Sequence, residues 1–246
     1  MTSVPSSASK LYLLQLSAST LPLPGGRMLE MISAAYLIET HDGRHILIDT
    51  GLPNDFRRPS GAPPSRENKN VLEHLDALHL RPADIDILIA THFDIDHVGY
   101  HDAFSSAELI VQREHYDLAC AGHPRFAPGR AHWGHPALRY RTVDGDTQLI
   151  PGITLLETSG HCPGHQSVLV HLPNTGPVLL AIDAVMMQSQ FAISRKPWPT
   201  DDNPQQLVAS TQKLLALAAR ERIALVVFGH DGLQWQSLKK APEFYD

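Results

Sequence analysis

Apolar positions along this chain come in short runs separated by turn residues. The pattern predicts β-type segments over 10–17, 34–39 and 45–49, the last two joined by the turn signal His41-Asp42-Gly43 as a hairpin. Residues 52–69, rich in Pro, Gly, Asn and charge, read as a surface loop. Over 70–80 the apolar positions 71, 72, 75, 78 and 80 fit an amphipathic helix capped by Asn70 and stopped by Pro82. A buried strand over 85–90 runs straight into Thr91-His92, and a short strand over 109–112 precedes a helical piece that starts at Arg113. Residues 121–137 carry Gly, Pro, His and Trp with no readable period. Further β-type runs occupy 150–158, 167–172 and 178–182. Residues 204–222 form a helix with Leu207, Thr211, Leu214, Leu215 and Ala218 on one face, and 224–228 is a last strand that ends at Gly229-His230.

No composition break, repeat or low-complexity segment divides the chain. One domain is therefore expected over 1–246, with the Ser-rich residues 1–9 as a flexible tail. Composition narrows the function classes. A hydrophobic fraction of 43% supports a sizeable core, and a net charge of -6 argues against a nucleic-acid partner, which needs a basic face. Two cysteines, Cys120 and Cys162, exclude a disulfide framework and suit a reducing compartment. The apolar stretch 11–16 is too short for a signal or membrane segment, so a cytoplasmic protein with no membrane partner is expected. The unusual count is histidine, at 15. Histidine is both a metal ligand and a general base.

Position decides which histidines matter. The segment Thr91-His92-Phe93-Asp94-Ile95-Asp96-His97-Val98-Gly99 puts four potential ligands within six residues at the end of a hydrophobic strand, a set that suits Zn, Mn or Fe. Gly160-His161-Cys162-Pro163-Gly164-His165 follows another β-type run, with small residues that permit close backbone approach. Asp183 ends the run 178–182, where an unpaired buried carboxylate would be costly. Gly229-His230-Asp231 follows the final strand. Singly, each reads as a polar turn. Together, in this order, they point to chemistry rather than to ordinary turns.

This order of motifs resembles the metallo-β-lactamase superfamily and, within it, the N-acyl-homoserine lactonases. The resemblance covers nearly the whole chain, through LIDTG (47–51), DHVG (96–99), VQREHYDLA (111–119), DGDTQLIPGITLLETSGHCPGHQS (144–167), LLAIDA (179–184), VFGHD (227–231) and the ending PEFYD. It implies an α/β (α+β) four-layer αββα sandwich of the metallo-β-lactamase fold with two divalent metal ions at one edge. One ion would take His92, Asp94 and His161, the other Asp96, His97 and His230, with Asp183 bridging. The implied activity opens a lactone or related carboxylic ester by attack of a metal-bound hydroxide, with Asp96 also shuttling protons. A glyoxalase-type thioesterase, a phosphotriester hydrolase and a metal-binding protein with little turnover are the alternatives. The partner is a small-molecule substrate, and the family often forms homodimers.

Two departures from the family pattern stand out. Asp94 occupies a position where the family usually has His, which adds a negative charge and a hard oxygen; the change favours Mn or Fe over Zn, weakens the first metal or leaves that site partly empty. Met186 stands where many lactonases carry a Tyr whose hydroxyl contacts the substrate carbonyl. Asp49 is expected to orient a ligating histidine, Cys162 to be a small filler, and His165 to hydrogen-bond backbone. His101, His123, His132 and His135 are expected to flank the pocket, and Tyr100, Phe126, Trp133 and Met187 to form an apolar wall for an acyl chain.

Overall fold

The computed structural model describes residues 7–22, 25–26, 28–57, 65–66 and 69–246. Seven strands form the first sheet among these residues: β1 (Ala8–Pro22), β2 (Met28–Thr40), β3 (His45–Ile48), β4 (Ser65–Arg66), β5 (Ile87–Ile89), β6 (Glu108–Gln112) and β7 (Arg139–Val143), in the order β4-β1-β2-β3-β5-β6-β7. The second sheet holds β8 (Thr147–Ile150), β9 (Ile153–Glu157), β10 (Gln166–Leu172), β11 (Gly176–Ile182) and β12 (Leu225–Phe228), in the order β12-β11-β10-β9-β8. Both sheets are mixed: β3, β5, β6 and β7 run parallel, as do β11 and β12, while β1, β2 and β3 and β8 to β11 pair antiparallel.

Side-chain alternation builds the layers. Tyr36 and Ile38 of β2, with Ile46 and Ile48 of β3, face Leu155, Val168, Val170 and Leu180 across the space between the sheets. The intervening Ala35, Leu37 and Leu47 face outward, onto Val71 and Leu75 of helix α1 (Val71–Ala77). On the far side Leu156, Leu169 and Leu179 pack on Leu214 and Leu217 of the long helix Pro204–Glu221. The result is the four-layer αββα sandwich that the resemblance implies. The central strands bury apolar faces in these layers, at about 25 cal/mol per Å² removed from water.

Local chemistry sets the element ends. Asn70 and Glu73 form a capping box on α1, the Asn70 side chain accepting from Glu73 N at 3.0 Å and the Glu73 carboxylate from Asn70 N at 2.7 Å. Several expectations need correction. Ala8 and Ser9 are not tail: Ala8 pairs with Thr40, and Ser9 Oγ donates to the Glu39 carbonyl at 2.8 Å. The expected run 150–158 is two strands, because Pro151 and Gly152 (φ 83°) turn the chain between them. Strand β7 carries no apolar run, since as an edge strand it is half exposed. The unassigned 121–137 contains a 3₁₀ turn, Pro124–Gly129, and a short helix, Arg130–Trp133. Of the expected loop 52–69, Ser65–Arg66 joins the first sheet, and 58–64 and 67–68 lie outside the described residues. The buried face of the long helix runs through Leu207, Ser210, Thr211, Leu214 and Leu217, so Leu217 rather than Leu215 or Ala218 completes it. Among the described residues no helix is long and apolar enough to cross a membrane.

One buried histidine ties the layers to the loop after β5. His115, in helix Arg113–Cys120, accepts from Phe93 N at 2.8 Å through Nε2 and donates through Nδ1 to the Pro163 carbonyl at 2.6 Å. Burial pushes its pKa down to about 4. Protonation would set a second N–H against Phe93 N–H. In the unfolded chain the ring titrates near 6.5, so the unfolded state takes up the proton first and stability falls as pH drops from about 6.5 toward 4. The full shift is worth up to about 3 kcal/mol. Thermal melts from pH 7.5 to 4.5 should show this loss. His115→Gln should flatten the profile over that window. A profile identical in slope to wild type would refute the assignment.

Candidate metal centre

Five chain segments deliver polar side chains to one edge of the sandwich. The loop after β5 brings His92, Asp94, Asp96 and His97, the last two in the short helix Ile95–Val98. The loop between β9 and β10 brings His161, the end of β11 brings Asp183, the end of β12 brings His230, and Asp49 follows β3. Two backbone features make this convergence possible. Gly160 (φ 135°) presses on the first turn of the long helix, where an added Cβ would lie 2.2 Å from Leu207 N. At Gly229 a Cβ would stand 2.9 Å from Asp183 Oδ1 and 2.6 Å from the Ile182 carbonyl oxygen, so a side chain here would displace the carboxylate. Ile182, a β-branched residue held at φ 51°, adds local strain just before Asp183.

Each of the four histidines has its Nδ1 engaged, which leaves Nε2 for the centre. His97 Nδ1 donates to Asp49 Oδ2 at 2.8 Å, His230 Nδ1 to the Ile32 carbonyl at 2.6 Å, and His161 Nδ1 to Asp201 Oδ1 at 2.9 Å. Asp49 also accepts from Thr91 N at 2.9 Å and Thr91 Oγ1 at 2.7 Å, so the Thr91 oxygen in turn accepts from His92 Nδ1 at 3.0 Å. The Nε2 atoms then surround Asp183. Those of His230, His161 and His97 lie 3.1, 3.4 and 3.7 Å from its carboxylate oxygens. His92, His161 and Asp183 form one donor set, and Asp96, His97 and His230 a second, the atoms within each set lying within 4.8 Å of one another.

These residues fit a pair of divalent ions. Ligand atoms about 2.0–2.2 Å from a tetrahedral ion stand roughly 3.3–3.6 Å apart, close to the observed spacings. Among the described residues His92 Nε2, His97 Nε2 and Asp183 Oδ1 are buried without a hydrogen-bond partner, a costly arrangement that a cation would relieve. Burial alone would depress His97, but Asp96, Asp183 and Asp49 outweigh it and push the ring up to about 10. Burial would raise Asp183, but His230, His97 and His161 hold it well below the carboxylate range. Metal uptake at neutral pH therefore releases a proton from His97.

Asp94 has an unforeseen partner. Arg125 Nε donates to its Oδ1 at 2.7 Å and Arg125 Nη2 to its Oδ2 at 2.6 Å, a bidentate ion pair. The same Oδ2 lies 3.2 Å from His161 Nε2 and 3.5 Å from His92 Nε2. Burial opposes ionisation of Asp94, but hydrogen bonds from His161, His92 and Arg125 hold it far below the usual carboxylate range. Asp201, fully buried behind His161, was equally unforeseen. Both lie where sequence is hard to read: Arg125 in the aperiodic stretch 121–137, and Asp201 in a Thr-Asp-Asp-Asn run that looks like ordinary helix capping.

The centre floors a cleft of about 610 Å³ with an apolar wall that includes Leu21, Met31, Leu52, Phe56, Met186 and Trp198. None of Tyr100, Phe126, Trp133 or Met187 lines it. Phe126 and Trp133 instead stack around Phe93 in the core behind the loop, because the turn 124–133 folds inward. His101, His123, His132 and His135 do not line it either. Cys162 is a buried filler of the same apolar cluster, as expected. His165 bonds the Thr158 hydroxyl at 2.9 Å through Nδ1, where a backbone partner was expected.

Comparison with known proteins places this geometry. The sequence profile of the metallo-beta-lactamase superfamily matches residues 29–230. An N-acyl homoserine lactonase of a Bacillus species is 32% identical over 233 residues, covering 90% of each chain. The N-acyl homoserine lactonase AttM of Azorhizobium caulinodans is 35% identical over 237 residues, covering 87% of this chain and 88% of the relative. The structure of an N-acyl homoserine lactone hydrolase with the product N-hexanoyl-L-homoserine bound at its catalytic metal centre superposes with a TM-score of 0.84 at 28% identity, over 97% of this chain and all of that one.

Proposed function

Because this chain belongs to the metallo-β-lactamase superfamily, we propose that it is a dinuclear metal-dependent hydrolase that opens N-acyl-homoserine lactones. The observation that carries the reading is the convergence of imidazole nitrogens on Asp183 at the floor of an apolar cleft. His92 and His161 would hold one ion, and Asp96, His97 and His230 the other, with Asp183 between them. Asp94 faces the first site through an oxygen that Arg125 also holds. When bound, the metal pair activates water for attack and polarises the ester carbonyl. Zn suits the histidine-rich set, and Mn or Fe would be tolerated by its carboxylates.

The protein side chains supply the rest. Asp49, Asp201, Thr91 and the Ile32 carbonyl lock the tautomer and direction of each ring. Asp96, about a third exposed at the cleft floor, would carry a proton from the attacking water to the leaving alkoxide. Water adds across the acyl C–O bond, and the product is a hydroxy acid. Leu21, Met31, Phe56 and Trp198 would receive the acyl chain, and a volume near 610 Å³ suits a small amphiphile. A homodimer and a cytoplasmic location accord with this reading.

The test is hydrolysis of a short- and a long-chain acyl-homoserine lactone by protein as isolated, after chelation, and after return of Zn or Mn. Turnover should vanish on chelation and recover with metal. A protein that carries two bound ions yet opens neither lactone would refute the reading and turn attention to thioesters and phosphotriesters.

A further inference from the structure

We propose that Arg125 is the substrate-anchoring cation of the cleft, held in place by Asp94, and that it donates a charged hydrogen bond to an oxygen of the acyl group undergoing hydrolysis. This inference rests on the hydrolase reading above and deepens it.

Hydrogen-bond accounting leads there. A guanidinium has five N–H donors. In Arg125 all five are placed: two on Asp94, one on the Thr200 carbonyl at 2.7 Å, one on Asp202 Oδ1 at 2.8 Å, and the last on His161 Nε2 at 2.8 Å. That last contact sets an Arg125 N–H against the Nε2 lone pair of His161. That lone pair is the one a metal ion needs. With an ion on His161 Nε2, four of the five N–H groups would keep their partners and the fifth would be released toward the cleft that Arg125 lines.

The surroundings leave that N–H a defined task. Among the described residues lining the cleft, Arg125 alone carries a fixed positive charge, and its side chain is only 16% exposed. Met186, which also lines the cleft, offers no hydrogen-bond donor. A half-buried guanidinium whose fifth donor is released in this way suits an ester carbonyl oxygen and, after ring opening, the new carboxylate. The pairing also explains Asp94. An aspartate here adds a negative charge to the site, and Arg125 returns a positive one, so the pair leaves the net charge that a neutral histidine would give.

The inference requires Arg125 to act in opposite directions on two ligands. It helps an acyl oxygen, but it repels a cation and competes for His161 and Asp94. The experiment compares wild type, Arg125→Lys and Arg125→Met. Calorimetry of Zn binding to the chelated proteins is read beside steady-state hydrolysis of a hexanoyl-homoserine lactone and inhibition by its ring-opened product. In Arg125→Met one Zn site should tighten by about tenfold or more, while KM and the product inhibition constant rise about ten- to a hundredfold. Arg125→Lys should recover part of the product affinity. A merely structural role would weaken metal and product together, and that outcome overturns the proposal. Unchanged KM and product inhibition overturn it as well. If wild type binds two ions but opens no lactone, the lactonase reading fails by itself, and the calorimetric arm still decides Arg125: unchanged or weaker Zn binding in Arg125→Met overturns its role.

Discussion

Replacing Asp183 with Asn is expected to lower kcat/KM for lactone opening by about a thousandfold or more, roughly 4 kcal/mol of barrier. The reason is positional. The Asp183 carboxylate sits 3.1–3.7 Å from three imidazole Nε2 atoms that belong to both donor sets, so in the proposed centre it would lie between the two ions. Asn keeps the shape and one oxygen but removes the charge that offsets two divalent cations. Elemental analysis should find fewer than two ions per chain, and thermal melting should show a folded protein. Two ions with kcat/KM within tenfold of wild type would remove Asp183 from the centre and leave the two donor sets unconnected.

The second large effect is expected at Asp49, which touches no metal in the proposed arrangement. Its carboxylate is fully buried and accepts from His97 Nδ1, Thr91 N and Thr91 Oγ1. Burial pushes its pKa up against the opposing pull of His97 and Thr91, so its ionised form depends on those partners. Asp49→Ala strands three buried donors and should cost about 3–5 kcal/mol of stability, on the order of 10 °C in Tm. Part of that cost is backbone strain, because Asp49 adopts φ 56°, which Ala tolerates poorly and Asn well. Asp49→Asn therefore isolates the carboxylate, and it should weaken metal binding at the His97 site by about 10–100-fold. Calorimetric metal titration and melting curves read the two quantities separately. An Asp49→Asn protein with wild-type affinity for both ions would show that His97 does not need its carboxylate partner.

How far the sequence could be read differs from element to element. The β2–β3 hairpin was legible because His41-Asp42-Gly43 is a turn signal between apolar runs, and α1 because Asn70 and Glu73 form a local cap. Strand β7 was not legible, because an edge strand needs no apolar run. The stretch 121–137 was misjudged for a related reason. Its Trp and Phe look like ligand contacts in an aperiodic segment, but Phe126 and Trp133 turn inward to pack on Phe93.

By itself the sequence determined the layered α/β character, the strand ends that carry chemistry, and the identity of His92, Asp94, Asp96, His97, His161, Asp183 and His230 as one candidate set. It could do so because each lies in a local signal: an apolar run that stops at a polar ligand type. Tertiary structure alone decided the partners. Arg125 is 31 residues from Asp94 and 36 from His161, Asp201 is 40 from His161, and Asp49 is 48 from His97. No periodicity or spacing reports such pairings, because hydrogen bonds between distant segments follow from how the sheets stack and where the loops close over them. Whether Asp94 meets the centre as a bare ligand or as the anchor of an arginine is decided at that level, by which cation the fold brings within reach of its carboxylate.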